Sequence, residues 1–154
     1  LPLIRSQCNV PIIAAGGISD GASMAAAFAM GAEGVQMGTR MLACAESPVH
    51  QNWKDAIVDS KETDTVFLNQ QGRPALRALR TQLTAGLEPQ GKINVMEHMA
   101  NLQDLYFGGD MEAAIPLGGQ VTGRIDEILT AKQIVDQTMS GFNHAVAKLA
   151  SDYT

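Results

Sequence analysis

Two short apolar runs, each closed by glycine and separated by one helix-sized stretch, constrain this chain more than any other feature. Val10-Pro11-Ile12-Ile13-Ala14-Ala15 is rich in β-branched residues and stops at Gly16-Gly17. That is the pattern of a parallel strand covered on both faces. Ser19-Asp20-Gly21 then offers a helix cap, Ala22 to Met30 is rich in Ala and Met, and Gly31 ends the helix. Gly34-Val35-Gln36-Met37 supplies a second strand, followed at once by Gly38-Thr39. Strand, helix and strand in so short a span form a βαβ unit, whose strands lie parallel and side by side. The fold class that follows is α/β.

Parallel neighbours end on the same sheet edge, so Gly16-Gly17 and Gly38-Thr39 are expected to sit together there. Glycine permits close backbone approach, and free amides at a helix start attract an anion. The Thr39 hydroxyl adds one more donor. In (β/α) barrels the loops after the last two strands, with a short extra helix, hold phosphate, and Met41 to Ala45 has the length for that helix. A lone Gly-Gly after a strand serves a turn as often as a ligand. The pairing of two such ends is what points to phosphate.

Further along, Pro48 opens a helix through Trp53, Ile57 and Val58, and Asp64 to Leu68 reads as a third strand. Gly72-Arg73-Pro74 is read as starting a helix with Leu76, Leu79 and Leu83 on one face. Ala85 to Lys92 reads as a loop and as the boundary between two regions. Helices are expected over 95–106, 121–129 and 131–150. Leu1 to Ser6 resembles the last turn of a helix, and with Leu rather than Met at position 1 the chain is expected to be truncated at its amino end.

Composition excludes several classes. With a net charge of -5 and 45% hydrophobic residues, the 154-residue chain offers neither a basic field for nucleic acid nor the makeup of a disordered segment. It shows no membrane span and no signal peptide, so a cytoplasmic location is expected. Cys8 and Cys44 stand apart from metal-ligand spacing and are read as small apolar fillers, with no metal site.

The stretches Val10 to Ile18 and Gly31-Ala32-Glu33-Gly34-Val35-Gln36-Met37-Gly38-Thr39-Arg40 closely resemble the flavin-binding region of nitronate monooxygenases, formerly 2-nitropropane dioxygenases. Flavin-dependent enoyl-acyl carrier protein reductases share the pattern. The likeness continues through Ser47 to Lys54, Asp64-Thr65, Gly72-Arg73-Pro74 and Gly119-Gln120-Val121-Thr122-Gly123. FMN barrels that oxidise inosine monophosphate also carry a Gly-Gly-Ile strand end; the Gln36 to Arg40 run favours the nitronate and enoyl-reductase group.

The resemblance implies a (β/α)8 TIM barrel, with residues 1–84 holding its last two strands and residues 85–154 a helical carboxy-terminal appendage near the substrate side. It implies FMN as cofactor, held through its phosphate at Gly16, Gly17, Gln36, Met37, Gly38 and Thr39. The implied activity is oxidation of alkyl nitronates with dioxygen. The alternative is enoyl-thioester reduction, with reduced nicotinamide and an acyl carrier protein as partners, and a different class of reading is a non-catalytic phosphate-binding fragment. A homodimer stays open. The catalytic histidine and most ring contacts are expected upstream of Leu1, so His50, His98 and His144 receive no catalytic role.

The other conspicuous residues take plainer readings. His50 and Lys54 fit an exposed helix face, and Arg73, Arg77 and Arg80 a solvated stripe. Met96 and Met99 fit core packing and Trp53 a helix-face anchor. Gly118-Gly119-Gln120 divides evenly between a substrate-side contact and a helix start. Tyr106-Phe107-Gly108-Gly109 reads as packing that also has the reach to line a pocket.

Overall fold

The computed structural model describes residues 1–153. Helix α1 (Pro2–Gln7) leads into β1 (Ile13–Ala15), α2 (Gly21–Ala29) and β2 (Gly34–Gln36). β1 and β2 pair in parallel, Ile13 with Gly34, Ala14 with Val35 and Ala15 with Gln36, so the expected unit forms, but β1 is buried on one face only, with Ile13 66% exposed, against the two-sided cover expected of it. Its helix starts where the cap residues place it: Asp20 Oδ1 accepts from the Ser23 N–H at 2.7 Å, and Ser23 Oγ accepts from the Asp20 N–H at 3.2 Å. Ala14, Ile18, Ala27 and Ala32 form a small core beneath the two strands.

Burial acts most strongly on Asp20 and raises its pKa, but the Ser23 hydrogen bonds and the neighbouring Arg124 guanidinium more than reverse this and hold it below its ordinary value. The unfolded chain therefore takes up the proton first. The stabilisation is complete above the ordinary aspartate pKa of about 4 and is lost as the pH falls through the depressed folded value. Asp20→Ala is expected to cost ~1 kcal/mol at pH 7, with a gap to the parent that closes on acidification. Urea midpoints from pH 7 to pH 3 test this, and a gap that widened in acid would refute it.

After β2 come α3 (Thr39–Leu42), α4 (Gln51–Val58) and a hairpin of β3 (Thr65–Leu68) and β4 (Leu76–Leu79), paired antiparallel with Leu68 opposite Leu76. The third strand thus forms, but apart from the parallel pair; among the described residues the two sheets have two strands each and no barrel closes. The fold is α/β. The helix expected after Pro74 is instead β4, followed by α5 (Gln82–Leu87). Backbone pairing with β3 outweighs the 76/79/83 leucine spacing, and Thr81 with Thr84 makes a capping box that starts α5 six residues late. α5 crosses the 84/85 boundary.

The arginine stripe disappears with that helix. Arg77 lies on β4, donates to Thr65 Oγ1 at 3.0 Å and stands 5.4 Å from the Phe67 ring centre, while Arg80 pairs with Glu88. The helix expected over 95–106 resolves into a 3-10 turn at Glu97–Met99 and α6 (Leu102–Tyr106). Met99 packs on the core, but Met96 is 79% exposed, against the packing expected of it. The helix expected over 121–129 is a 3-10 turn at Gln120–Arg124 followed by extended chain, with Leu129 bridging Cys44.

Two larger clusters hold these pieces together: Trp53, Ile57, Leu79, Leu105 and Ile125 in one, and Val66, Leu68, Ala78 and Ile115 in the other. Trp53 is an anchor, 1% exposed with its ring edge-on to Tyr106 at 4.8 Å. Lys54 is buried beside it, not on an exposed face, and its Nζ donates to the Ala45 carbonyl at 3.1 Å. His50 caps α4, its Nδ1 accepting from the Asn52 N–H at 3.1 Å.

The last helix, α7 (Ala131–Tyr153), packs along α2. Gly21 and Gly141 let the backbones touch, and Phe28 meets Phe142 with ring centres 5.3 Å apart. Glu46 anchors its start by accepting from the Ala131 N–H at 2.8 Å. No helix among the described residues is long and apolar enough to cross a membrane.

Candidate functional site

Where β1 and β2 end, the chain turns away from the sheet and leaves a cleft of ≈ 240 Å³. Ala15, Gly16, Gly17 and Ile18 form one wall, Gln36, Gly38 and Thr39 another, and Gly119 with Val121 the third. Five of the six expected site residues thus converge. The sixth, Met37, is not in the lining and packs against the core of Ala14 and Ile18. This follows from the strand's period of two, which sends Gln36 and Met37 to opposite faces.

Gly16 and Gly17 both take the left-handed backbone that favours glycine, with φ of 96° and 73°. A Cβ at Gly16, Gly17 or Gly38 would meet no atom within 4 Å. The glycines therefore keep space open in the cleft instead of permitting internal packing. Among the described residues the N–H groups of Gly17, Gly38 and Thr39 have no hydrogen-bond partner. Gly17 and Gly38 are exposed and Thr39 is buried, so these donors are free to meet water or an acceptor in the cleft.

Thr39 is 9% exposed, and its Oγ1 accepts from the Gly119 N–H at 2.9 Å. This bond brings the 118–120 segment, which the sequence left divided, to the cleft wall. Gly119 lines the cleft, and Gln120 begins a 3-10 turn where an α-helix start is the other half of the divided reading. The signal was the glycine pair itself. Tyr106 to Gly109 lies elsewhere, holding the start of α4: His50 N–H donates to the Tyr106 carbonyl at 2.6 Å and Asn52 Nδ2 to the Gly109 carbonyl at 2.8 Å.

Arg40, next to Thr39, is 5% exposed, and its Nη1 donates to the Glu127 carbonyl at 2.9 Å. Burial lowers its pKa while Glu127 and Asp126 oppose that shift, and a guanidinium stays charged under such conditions. A larger cavity of ≈ 520 Å³ lies between α2 and α7, lined partly by Ile134, Ala22 and Ala145. The smaller cleft is the better candidate because three residues with unpartnered amides line it.

A parallel pair whose glycine-closed ends frame such a cleft is a feature of α/β enzymes that hold phosphate. Residues 1–141 match the nitronate monooxygenase family, and the chain belongs to that enzyme family. FabK from Thermotoga maritima is 39% identical, superposing with a TM-score of 0.89 over 97% of this chain and 50% of its own. The nitroalkane oxidase from Streptomyces ansochromogenes is 25% identical with a TM-score of 0.82, over 96% of this chain and 44% of its own. A probable nitronate monooxygenase from Staphylococcus saprophyticus is 51% identical over 76 residues, which are 49% of this chain and 21% of that protein. The chain spans about half the length of the two solved relatives.

Proposed function

We propose that the cleft holds the phosphate of FMN and that the chain serves an FMN-dependent enzyme oxidising alkyl nitronates with dioxygen. The observation that carries this is that Gly17, Gly38 and Thr39, whose amides have no partner among the described residues, line one cleft with space that glycine keeps open. A phosphate monoester accepts hydrogen bonds and donates none at neutral pH, so it fits a site built from donors. When bound, a flavin supplies the capacity to take electrons from a bound anion and pass them to dioxygen.

This chain's own residues bind and orient. Gly16 and Gly17 let the backbone approach, the three amides and the Thr39 hydroxyl donate, and Val121 walls off one side. In this reading β1 and β2 are the last two strands of a (β/α)8 barrel of a cytoplasmic enzyme. The flavin ring pocket and the catalytic base belong to the part of the relatives that this chain does not span. Family membership favours nitronate over the enoyl-thioester alternative.

One measurement separates the two. The complete FMN-loaded enzyme, with this chain joined to a ring pocket and catalytic base, mixed without oxygen with an alkyl nitronate or with reduced nicotinamide, is expected to bleach its flavin absorbance with the nitronate alone. Bleaching by nicotinamide and not by nitronate would move the assignment to enoyl reduction.

A further inference from the structure

Resting on the reading of the cleft as an FMN phosphate seat, we propose that Gly119 and Thr122 are positioning residues for that phosphate, acting through the Thr39 hydroxyl. A threonine hydroxyl has two lone pairs and one proton. One lone pair of Thr39 Oγ1 is taken by the Gly119 N–H at 2.9 Å, and no described group accepts the proton. The covalent bond to Cβ and the incoming N–H fill two of the oxygen's four tetrahedral directions, so the proton is confined to the remaining two. Thr39 and Gly119 both line the cleft, and an acceptor-only phosphate oxygen there meets a donor already aimed.

Thr122 keeps the aim. It is 0% exposed, lies outside the cleft lining and donates twice to the Gly119 carbonyl, from Oγ1 at 2.6 Å and from its N–H at 3.0 Å. The Gly119 carbonyl lies on the 119–120 peptide and its N–H on the 118–119 peptide, so these two bonds fix one side of the Gly119 α-carbon and limit, across a single residue with no side chain, where the N–H that meets Thr39 points. Thr122 does not itself line the cleft, and its effect passes through Gly119.

The test compares FMN with riboflavin, which lacks the phosphate, by titrating the 154-residue chain calorimetrically with each. Thr39→Val is expected to lower the preference for FMN about tenfold or more, the loss of a hydrogen bond to a charged group. Thr122→Val, which removes the hydroxyl and keeps the shape, is expected to lower it roughly three- to tenfold with riboflavin affinity unchanged, while Thr122→Ser keeps the parent preference. The double Thr39→Val/Thr122→Val variant is expected to fall no further than Thr39→Val alone, because the two act in series.

Equal weakening of FMN and riboflavin by Thr122→Val, or a parent-like preference, overturns the proposal and leaves the phosphate seat standing. A parent chain that prefers FMN no more than riboflavin overturns the seat and the proposal with it. If Thr122→Val loses its thermal transition, Gly119→Ala carries the test. The backbone of Gly119 is extended, and the new Cβ would stand 3.3 Å from Thr39 Oγ1, pressing the hydroxyl aside by a few tenths of an ångström. A parent-like FMN preference in that variant refutes the role.

Discussion

A Gly38→Val variant is expected to fold normally and to lose FMN on dialysis. Gly38 has a right-handed backbone, φ -89° and ψ -72°, which valine adopts without strain, and a Cβ there meets nothing within 4 Å. The penalty falls on the ligand, because the branched side chain occupies the space where a phosphate would meet the amides of Gly38 and Thr39. Two charge-assisted hydrogen bonds lost at about 1.5 to 3 kcal/mol each correspond to a fall in affinity of a hundredfold or more, by order of magnitude. Gly17→Val is expected to lose the flavin as well, but with a stability cost. Its φ of 73° is strained for a β-branched residue, at roughly 1 to 3 kcal/mol. The pair is informative together: flavin content and thermal midpoint should change in both at Gly17 and in the first alone at Gly38. Normal flavin retention by both variants would end the phosphate assignment.

The largest loss of stability is expected at Gly21, outside the cleft lining. A Cβ there would lie 2.1 Å from the Phe142 nitrogen, 2.3 Å from the Gly141 carbonyl carbon and 2.5 Å from the Thr138 carbonyl oxygen, all of them backbone of α7. Backbone cannot swing aside as a side chain can, so α7 must move off α2. Such a shift loosens the Phe28–Phe142 contact and uncovers Ile134, which is 2% exposed. Gly21→Ala is therefore expected to cost about 3 kcal/mol and lower the thermal midpoint by roughly 10 °C. Gly86→Ala is the matched control: it sits inside α5 with nothing within 4 Å of a new Cβ, and is expected to stabilise by about 0.5 to 1 kcal/mol. Equal midpoints for the parent and Gly21→Ala would refute the close-contact account.

The parallel pair and its glycine ends were legible in the sequence because each depends on local signals: an apolar run, a cap at Asp20 and a residue free to turn at Gly16 and Gly17. The cap falls at Asp20 and β2 ends within one residue of its expected limit, while β1 begins at Ile13, three residues after the start of its apolar run. β4 was not legible. Leu76 and Leu79 have a spacing that serves a helix, and only the partner strand, eight to fourteen residues earlier, makes the extended form better. The stretch from 95 to 129 failed for a related reason. Its polar backbone is satisfied at long range, as where Arg40 Nη1 reaches the Glu127 carbonyl and the Leu79 N–H reaches Pro116. In the cleft, Gly17, Gly38 and Thr39 could be placed from their strand ends, whereas the Gly119 contact links positions eighty apart and has no local signature.

That contact has a consequence for cooperativity. Just before Gly119, the Gly118 N–H donates to the Arg77 carbonyl at 3.2 Å and Leu117 bridges Ala78, so the chain that holds Thr39 is also stitched to the β3–β4 hairpin. The parallel pair and the hairpin share no sheet, and left to themselves they would open as separate units with separate free energies. Through Thr39 and Gly119 the phosphate proposed for the cleft would stabilise both. A filled site is therefore expected to merge two local unfolding events into one, with the ligand acting as part of the fold.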